Sequence, residues 1–423
     1  MQKQLPKQRI VIIGAGFAGI SMAKSFKNKE VDVLVLDQNN FHNFQPLLYQ
    51  IATGGLEPYS IAYPVRRILR GSKNIRFRMA KVDKINAVAK NLETSLGTIA
   101  YDELIIATGS QTNFFNFTEA TKKHLLSLKS VPEALDIRSF IFQNLERSLV
   151  KWEGETVDEI ISIAVVGGGP AGIEVAGALA EMKKHVIPKD FPDLDVSKMQ
   201  IHIYQSSPKL LKGMSNEASE KSKEFLEEMG VDVKLNARVV GYDGDLLELK
   251  TGETFKTDTV IWAAGVKGTL IEGLADTSIA KGDRIKVDEY NRVVGAESIY
   301  AIGDVATHIT EDNPYGLPML APVAQQQGET LAKNILAVIK GGVMKPFKYF
   351  DKGSMATIGR NKAVVDLPKF KFQGAFAWYV WMFVHIFSLV GFRNKLVAVI
   401  DWMANYFTYD RPLGLIIRRF DKK

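Results

Sequence analysis

Residues 9–19 read Arg-Ile-Val-Ile-Ile-Gly-Ala-Gly-Phe-Ala-Gly. The run from Arg9 to Ile13 is short, apolar and without polar alternation, which predicts a parallel strand buried on both faces. Gly14, Gly16 and Gly19 follow as G-x-G-x-x-G, a tight turn opening a helix predicted from Phe17 to Lys27. The next strand, Val31 to Asp37, ends on an acid 23 residues beyond Gly14. In that context Gly14 makes the turn, Gly16 lets a pyrophosphate approach the helix N-terminus, and Asp37 accepts from a ribose hydroxyl.

The pattern returns at residues 162–172, Ser-Ile-Ala-Val-Val-Gly-Gly-Gly-Pro-Ala-Gly, with a helix running on from Ile173 and a matching strand from Gln200 to Gln205. A second echo joins Tyr101 to Gly109 (YDELIIATG) with Thr257 to Gly265 (TDTVIWAAG). The duplication predicts an α/β fold with two Rossmann-like dinucleotide-binding domains in a glutathione-reductase-like arrangement, a nicotinamide domain inserted into a flavin domain. The expected boundaries are 1–115 and 290–345 for the FAD-binding domain and 116–289 for the NAD(P)H-binding insertion. Residues 346–423 form a C-terminal membrane-association segment, and Ser298 to Asp304 (SIYAIGD) supplies the last strand of the first domain.

In the second fingerprint, Gly167, Gly169 and Gly172, the position matching Asp37 is Gln205. A carboxylate there binds the 2′-hydroxyl of NADH and repels the 2′-phosphate of NADPH; neutral Gln205, beside Ser206, Ser207 and Lys209, predicts NADH use with tolerance of NADPH. Glu174 lies in the first turn of the following helix, where it either complements the helix dipole or acts near the hydride-transfer complex. Asp304, read as opening a helix, is either an N-cap or a partner for ribityl hydroxyls.

The chain has 423 residues and no cysteine, which excludes disulfide scaffolds, iron–sulfur clusters and dithiol relays, so electrons require a bound cofactor. The six histidines lack metal-ligand spacing and no G-x-S-x-G elbow occurs. The net charge of +7 is uneven: residues 346–423 hold 13 Lys/Arg and 5 Asp/Glu, a local +8. Trp378, Trp381 and Trp402 and two apolar stretches, Gly374 to Gly391 and Leu396 to Phe407, share this tail, which favours an anionic membrane surface over nucleic acid. The expected form is an amphipathic, monotopic helix pair with the three tryptophans at headgroup level and Arg411, Arg418 and Arg419 near lipid. A buried core or dimer helix and a true span are the alternatives. Met1 to Arg9 carries no secretory signal, so the enzyme is expected on the cytoplasmic face of the inner membrane.

Beyond the two fingerprints, Phe44 to Gln50 (FQPLLYQ) with Ala52-Thr53-Gly54, Ala107 to Phe115 (ATGSQTNFF), Ala263 to Val266 (AAGV), Ala301 to Ala306 (AIGDVA) and the tail resemble the type II NADH dehydrogenases over essentially the whole chain. These are non-proton-pumping, membrane-peripheral NADH:quinone oxidoreductases of the respiratory chain. The resemblance implies non-covalent FAD at Gly14, Gly16, Gly19, Asp37, Val82, Thr108, Gly109, Asp304, Ala321 and Pro322. It implies NADH over the flavin at Gly167, Gly169, Gly172, Gln205, Ala264 and Gly265, with Glu174 beside the nicotinamide as the expected catalytic residue. The family's A-Q-x-A-x-Q quinone segment reads Ala321-Pro322-Val323-Ala324-Gln325-Gln326 here, so Ala324, Gln325 and Gln326 are the quinone candidates, Gln326 being expected to contact the quinone carbonyl alone or with Gln325, and Pro322 departs from the pattern. Menaquinone and ubiquinone, and monomer and homodimer, stay undistinguished. A sulfide:quinone oxidoreductase would need cysteines, and a flavoprotein acting only as a binding module would not need a quinone segment.

Overall fold

The computed structural model describes residues 7–149, 161–311, 313–390, 395–397, 399–400 and 414–416. They belong to two compact units: Met1–His42, Tyr63–Gln111 and Val266–Asp351 in the first, Asn43–Ala62, Thr112–Gly265 and Lys352–Lys423 in the second.

The first unit is built on β1 (Arg9–Ile13), α1 (Phe17–Ser25), β2 (Asp32–Asp37), β3 (Ile75–Met79) and β4 (Glu103–Ile106), joined by β10 (Ile299–Ala301) from far down the chain. These strands form one parallel sheet ordered β10-β4-β1-β2-β3. Consecutive apolar residues serve opposite faces: Ile10, Ile12, Val33, Val35 and Ile105 pack into one core, Val11, Ile13, Leu34, Leu36 and Leu104 into the other. Both faces are dry, so truncating Ile12 to Ala would cost roughly 3 kcal/mol. A long helix, α6 (Ala321–Ile339), lies on α1, where a Cβ on Gly328 would come 2.5 Å from the Ala18 carbonyl oxygen. Only glycine permits that approach.

The second unit carries a short helix α2 (Leu48–Ala52) and repeats the scheme with β5 (Leu125–Ser127), α3 (Val131–Leu149), β6 (Ser162–Val166), α4 (Pro170–His185), β7 (Gln200–Tyr204), α5 (Asn216–Glu228), β8 (Asp232–Lys234) and β9 (Thr259–Trp262). Its parallel sheet runs β5-β9-β6-β7-β8, so β9-β6-β7-β8 repeat the order β4-β1-β2-β3, while the edge strand comes first in the chain here and last in the first unit. Each unit also inserts a three-stranded antiparallel meander between its third and fourth matched strands, Val82–Asn86 to Gly97–Ala100 in one and Val239–Tyr242 to Thr254–Lys256 in the other. Helix α4 begins at Pro170, ahead of the expected Ile173, because proline's missing N–H costs nothing in a first helical turn.

The second unit also holds an antiparallel sheet of β11 (Ser354–Gly359), β12 (Lys362–Asp366) and β13 (Lys371–Gln373), followed by α7 (Ala375–Ser388). Ser215, the N-cap of α5, ties this sheet down: its N–H and Oγ donate to the two carboxylate oxygens of Asp366 at 2.6 and 2.9 Å. On α4, a Cβ at Gly177 would fall 1.5 Å from the Ile358 carbonyl oxygen, so β11 lies directly on that helix.

Candidate active site

The two glycine turns have one shape. A Cβ on Gly14 (φ +107°) would meet Ala107 O at 2.2 Å, and one on Gly19 would meet Gly14 O at 1.9 Å, yet nothing lies within 4 Å of a Cβ on Gly16. In the second unit the clashes are 2.6 Å from Gly167 to Ala263 O and 1.8 Å from Gly172 to Gly167 O, and Gly169 faces open space. Each turn is closed against its sheet and helix and open only at the middle glycine, before the N-terminus of α1 or α4. A pyrophosphate needs that opening and a helix N-terminus behind it.

The residue at the end of the second strand braces each turn. Asp37 accepts from Ala15 N at 2.7 Å through Oδ2 and from Asn39 N at 2.7 Å through Oδ1. Burial raises its pKa, and these two bonds oppose that rise. His42, 3% exposed and pushed toward the neutral form by burial, donates from Nδ1 to Ala15 O at 2.9 Å. The Ala15 peptide is therefore held at both ends, by a histidine whose sequence position gave no sign of it. Gln205 copies Asp37: its Oε1 accepts from Gly168 N at 3.0 Å. Its Nε2 donates to Ser207 Oγ at 2.6 Å, and Ser207 Oγ donates to Lys209 O at 2.7 Å.

Asp304 corrects an expectation. It lies in a single 3-10 turn, Gly303–Val305, and the chain then stays extended at Ala306–Thr307; the next helix begins only at Ala321. Pairing of Ala306 with Ile285 and of Thr307 with Lys286 keeps the segment out of a helix, so Asp304 is no helix N-cap. Its Oδ2 accepts from Ser110 Oγ at 2.5 Å, and Gly303 N donates to Gln327 Oε1 at 2.8 Å. In the same unit Thr108 Oγ1 donates to Thr269 O at 2.6 Å, Gly109 takes a left-handed φ of +70°, and Val82 is half-buried against one core.

In the second unit Glu174 is 7% exposed on the first turns of α4, and Thr357 N of β11 donates to its carboxyl. Burial pushes its pKa well above the usual carboxylate range, and the Thr357 bond opposes that rise. Ala264 is half-buried, and Gly265 (φ +124°) lies under the Phe115 ring.

The segment Ala321–Gln326 forms the first turns of α6. Pro322 fits there because a first-turn N–H has no helical partner to lose. Ala324 is 6% exposed and part of the core; Gln325 is half-buried, with no side-chain hydrogen bond among the described residues. Gln326 is committed to backbone: Nε2 donates to Phe350 O and Oε1 accepts from Phe350 N, both at 3.0 Å.

In the tail, α7 turns a stripe spaced four residues apart inward: Ala377, Trp381 and Leu389 are buried, with His385 between the last two. Trp381 stacks on His385 with 4.2 Å between centroids, and Tyr49 and Phe44 of the FQPLLYQ stretch approach this pair. Trp381 therefore lies inside and not at headgroup level, because the helical period aligns it with Ala377. The outward residues are Phe376, Tyr379, Phe383 and Phe387, the phenylalanines 68–70% exposed. The helix is thus apolar on both sides rather than amphipathic. No helix among the described residues is long and apolar enough to cross a membrane. Trp402, Arg411, Arg418 and Arg419 lie outside the described residues.

The sequence pattern of the pyridine nucleotide-disulphide oxidoreductases matches residues 8–328, and that of the NDH2 C-terminal domain matches residues 352–409. The type II NADH:quinone oxidoreductase NdhA of Mycobacterium tuberculosis is 33% identical over 413 residues, 94% of this chain and 86% of that protein. The chain belongs to the type II NADH:quinone oxidoreductases. A Staphylococcus aureus member of the family is 28% identical over 371 residues, 85% of this chain and 89% of its own. The fold matches that of NDH2 from Plasmodium falciparum, solved in complex with NADH, with a TM-score of 0.88 at 22% identity, covering 97% of this chain and 100% of the other. The sulfide:quinone oxidoreductase of Aquifex aeolicus shares the fold at a TM-score of 0.73 and 20% identity, covering 95% of each chain.

Proposed function

We propose that this family member takes hydride from NADH onto a non-covalently bound FAD and delivers two electrons to a membrane quinone. The balance is NADH, one proton and quinone giving NAD⁺ and quinol, with no proton moved across the membrane. The observation that carries the reading is the pair of glycine turns, each open only at Gly16 or Gly169. The flavin supplies the two-electron centre that a chain without cysteines cannot build from thiols.

In the first unit, which we assign to FAD, the turn at Gly14, Gly16 and Gly19 and the first turn of α1 would hold the pyrophosphate, and the remaining lone pairs of Asp37 would accept from ribose. Asp304, braced by Ser110, accepts from the ribityl chain, while Val82, Thr108, Gly109, Ala321 and Pro322 line the same unit. In the second, assigned to NADH, Gly167, Gly169 and Gly172 hold the pyrophosphate and Ala264 and Gly265 border the nicotinamide. Glu174, whose burial favours the protonated form, would lie beside the nicotinamide. Gln205 offers a spare Oε1 lone pair to a 2′-hydroxyl while its amide hydrogens point to Ser207 and Lys209, which supports NADH first with weaker use of NADPH. A kcat/KM ratio above roughly a thousandfold, about 4 kcal/mol, would remove that tolerance. For quinone, Gln325 is the carbonyl contact, with Ala324 and Gln326 shaping the wall behind it.

The outward aromatics of α7 and the basic tail support peripheral attachment to an anionic bilayer on its cytoplasmic face, where NADH is available. Anaerobic NADH should bleach the flavin, and a soluble quinone should restore its absorbance. Bleaching with no quinone-dependent recovery overturns the reading.

A further inference from the structure

A cation sits between the Asp304 turn and the entry of α6. Arg284 donates from Nη2 to Ala306 O at 2.5 Å and to Leu317 O at 3.0 Å, and from Nη1 to Tyr315 O at 3.4 Å. All of these residues belong to the first unit. Burial disfavours the guanidinium charge, and the Asp304 carboxylate nearby sustains it. From Leu317 only Pro318, Met319 and Leu320 separate this grip from Ala321, and Leu320 caps α6 without a side-chain hydrogen bond. Behind the grip, Gly316 (φ +66°) approaches Thr307 so closely that a Cβ would come 2.1 Å from Thr307 Oγ1. The loop is thus clamped from two sides, and neither clamp involves a residue that would touch substrate or cofactor.

We propose that Arg284 is a positioning residue for quinone reduction: by holding the carbonyls of Ala306, Tyr315 and Leu317 it sets where the first turns of α6 stand relative to the Asp304 turn. The inference rests on the reading of Ala321–Gln326 as the quinone segment. A guanidinium suits the task because its planar fork serves several acceptors at once, which an ammonium on a flexible stem does not. An error of about 1 Å in the loop is enough to misplace a reacting group.

The test compares Arg284→Met, Arg284→Lys and Gly316→Ala in the purified flavin-loaded enzyme. Flavin content and the anaerobic rate of flavin reduction by NADH should stay within about twofold of the parent, while the KM for a soluble quinone rises about tenfold in Arg284→Met. Arg284→Lys should recover part of that loss. Gly316→Ala, which displaces the same loop without touching the charge, should reproduce it. An unchanged quinone KM in Arg284→Met, or flavin loss and slowed flavin reduction in step with the quinone defect, overturns the proposal. If Arg284→Met does not fold, a normal quinone KM in Gly316→Ala overturns it instead. Failure of quinone to reoxidise the parent enzyme is a separate result that counts against the quinone reading itself.

Discussion

Glu174 is enclosed by α4 and β11 with a backbone N–H as its partner. Its folded pKa lies above the unfolded value, so the proton is held more tightly in the native state. The associated stability is complete below about pH 4.5, the ordinary glutamate value, and is lost as pH rises from there toward the raised pKa. Glu174→Gln keeps an acceptor for Thr357 N and has nothing to ionise. Urea unfolding should therefore find variant and parent alike at pH 4, with the variant increasingly the more stable as pH rises; parallel curves across that range would refute the assignment. At this scale the sequence was informative about residue type and silent about direction. Gly14, Gly16, Gly19 and Asp37 were legible because a dinucleotide turn admits few alternatives. That the Gln205 amide faces Ser207, or that Gln326 holds Phe350, depends on backbone brought together from distant positions.

Elements explain why some substitutions in one motif should unfold the protein and others should leave it intact. Gly19 meets Gly14 O at a distance no side chain allows, whereas Gly16 has extended backbone and empty space. Gly19→Val should therefore fail to yield soluble folded protein, while Gly16→Val should keep a native far-ultraviolet spectrum and lose its flavin, measured by absorbance after gel filtration. The Ser215–Asp366 pair tests the tail sheet in the same way: Asp366→Ala removes two hydrogen bonds from partly buried groups and should lower stability by about 2 kcal/mol in urea titrations. The strands were readable because burial on both faces forbids polar alternation. The helix expected at Asp304 was not there, since β-pairing with residues 284–286 decides that segment and no local pattern announces it. Arg284 escaped notice for a related reason: an arginine whose hydrogen-bond partners are backbone carbonyls leaves no sequence pattern to find.

For the whole molecule, duplication was the most legible property, because the four strands that share one order in both sheets descend from two matching sequence patterns. The tail was readable in composition but not in orientation, and a helical phase misaligned by two residues suffices to exchange Trp381 for Phe383 as the outward ring. The double variant Phe383→Glu with Phe387→Glu, which alters only exposed rings, should abolish flotation with anionic liposomes while flavin content is retained. Flotation equal to the parent's would move the attachment elsewhere.

The outward phenylalanines of α7 also determine how turnover should be counted. An enzyme seated on lipid meets a lipid-dissolved substrate in two dimensions, so its rate follows the mole fraction of quinone in the bilayer. Adding vesicles at constant total quinone dilutes that substrate without changing its concentration in the tube, and activity should fall as lipid is added.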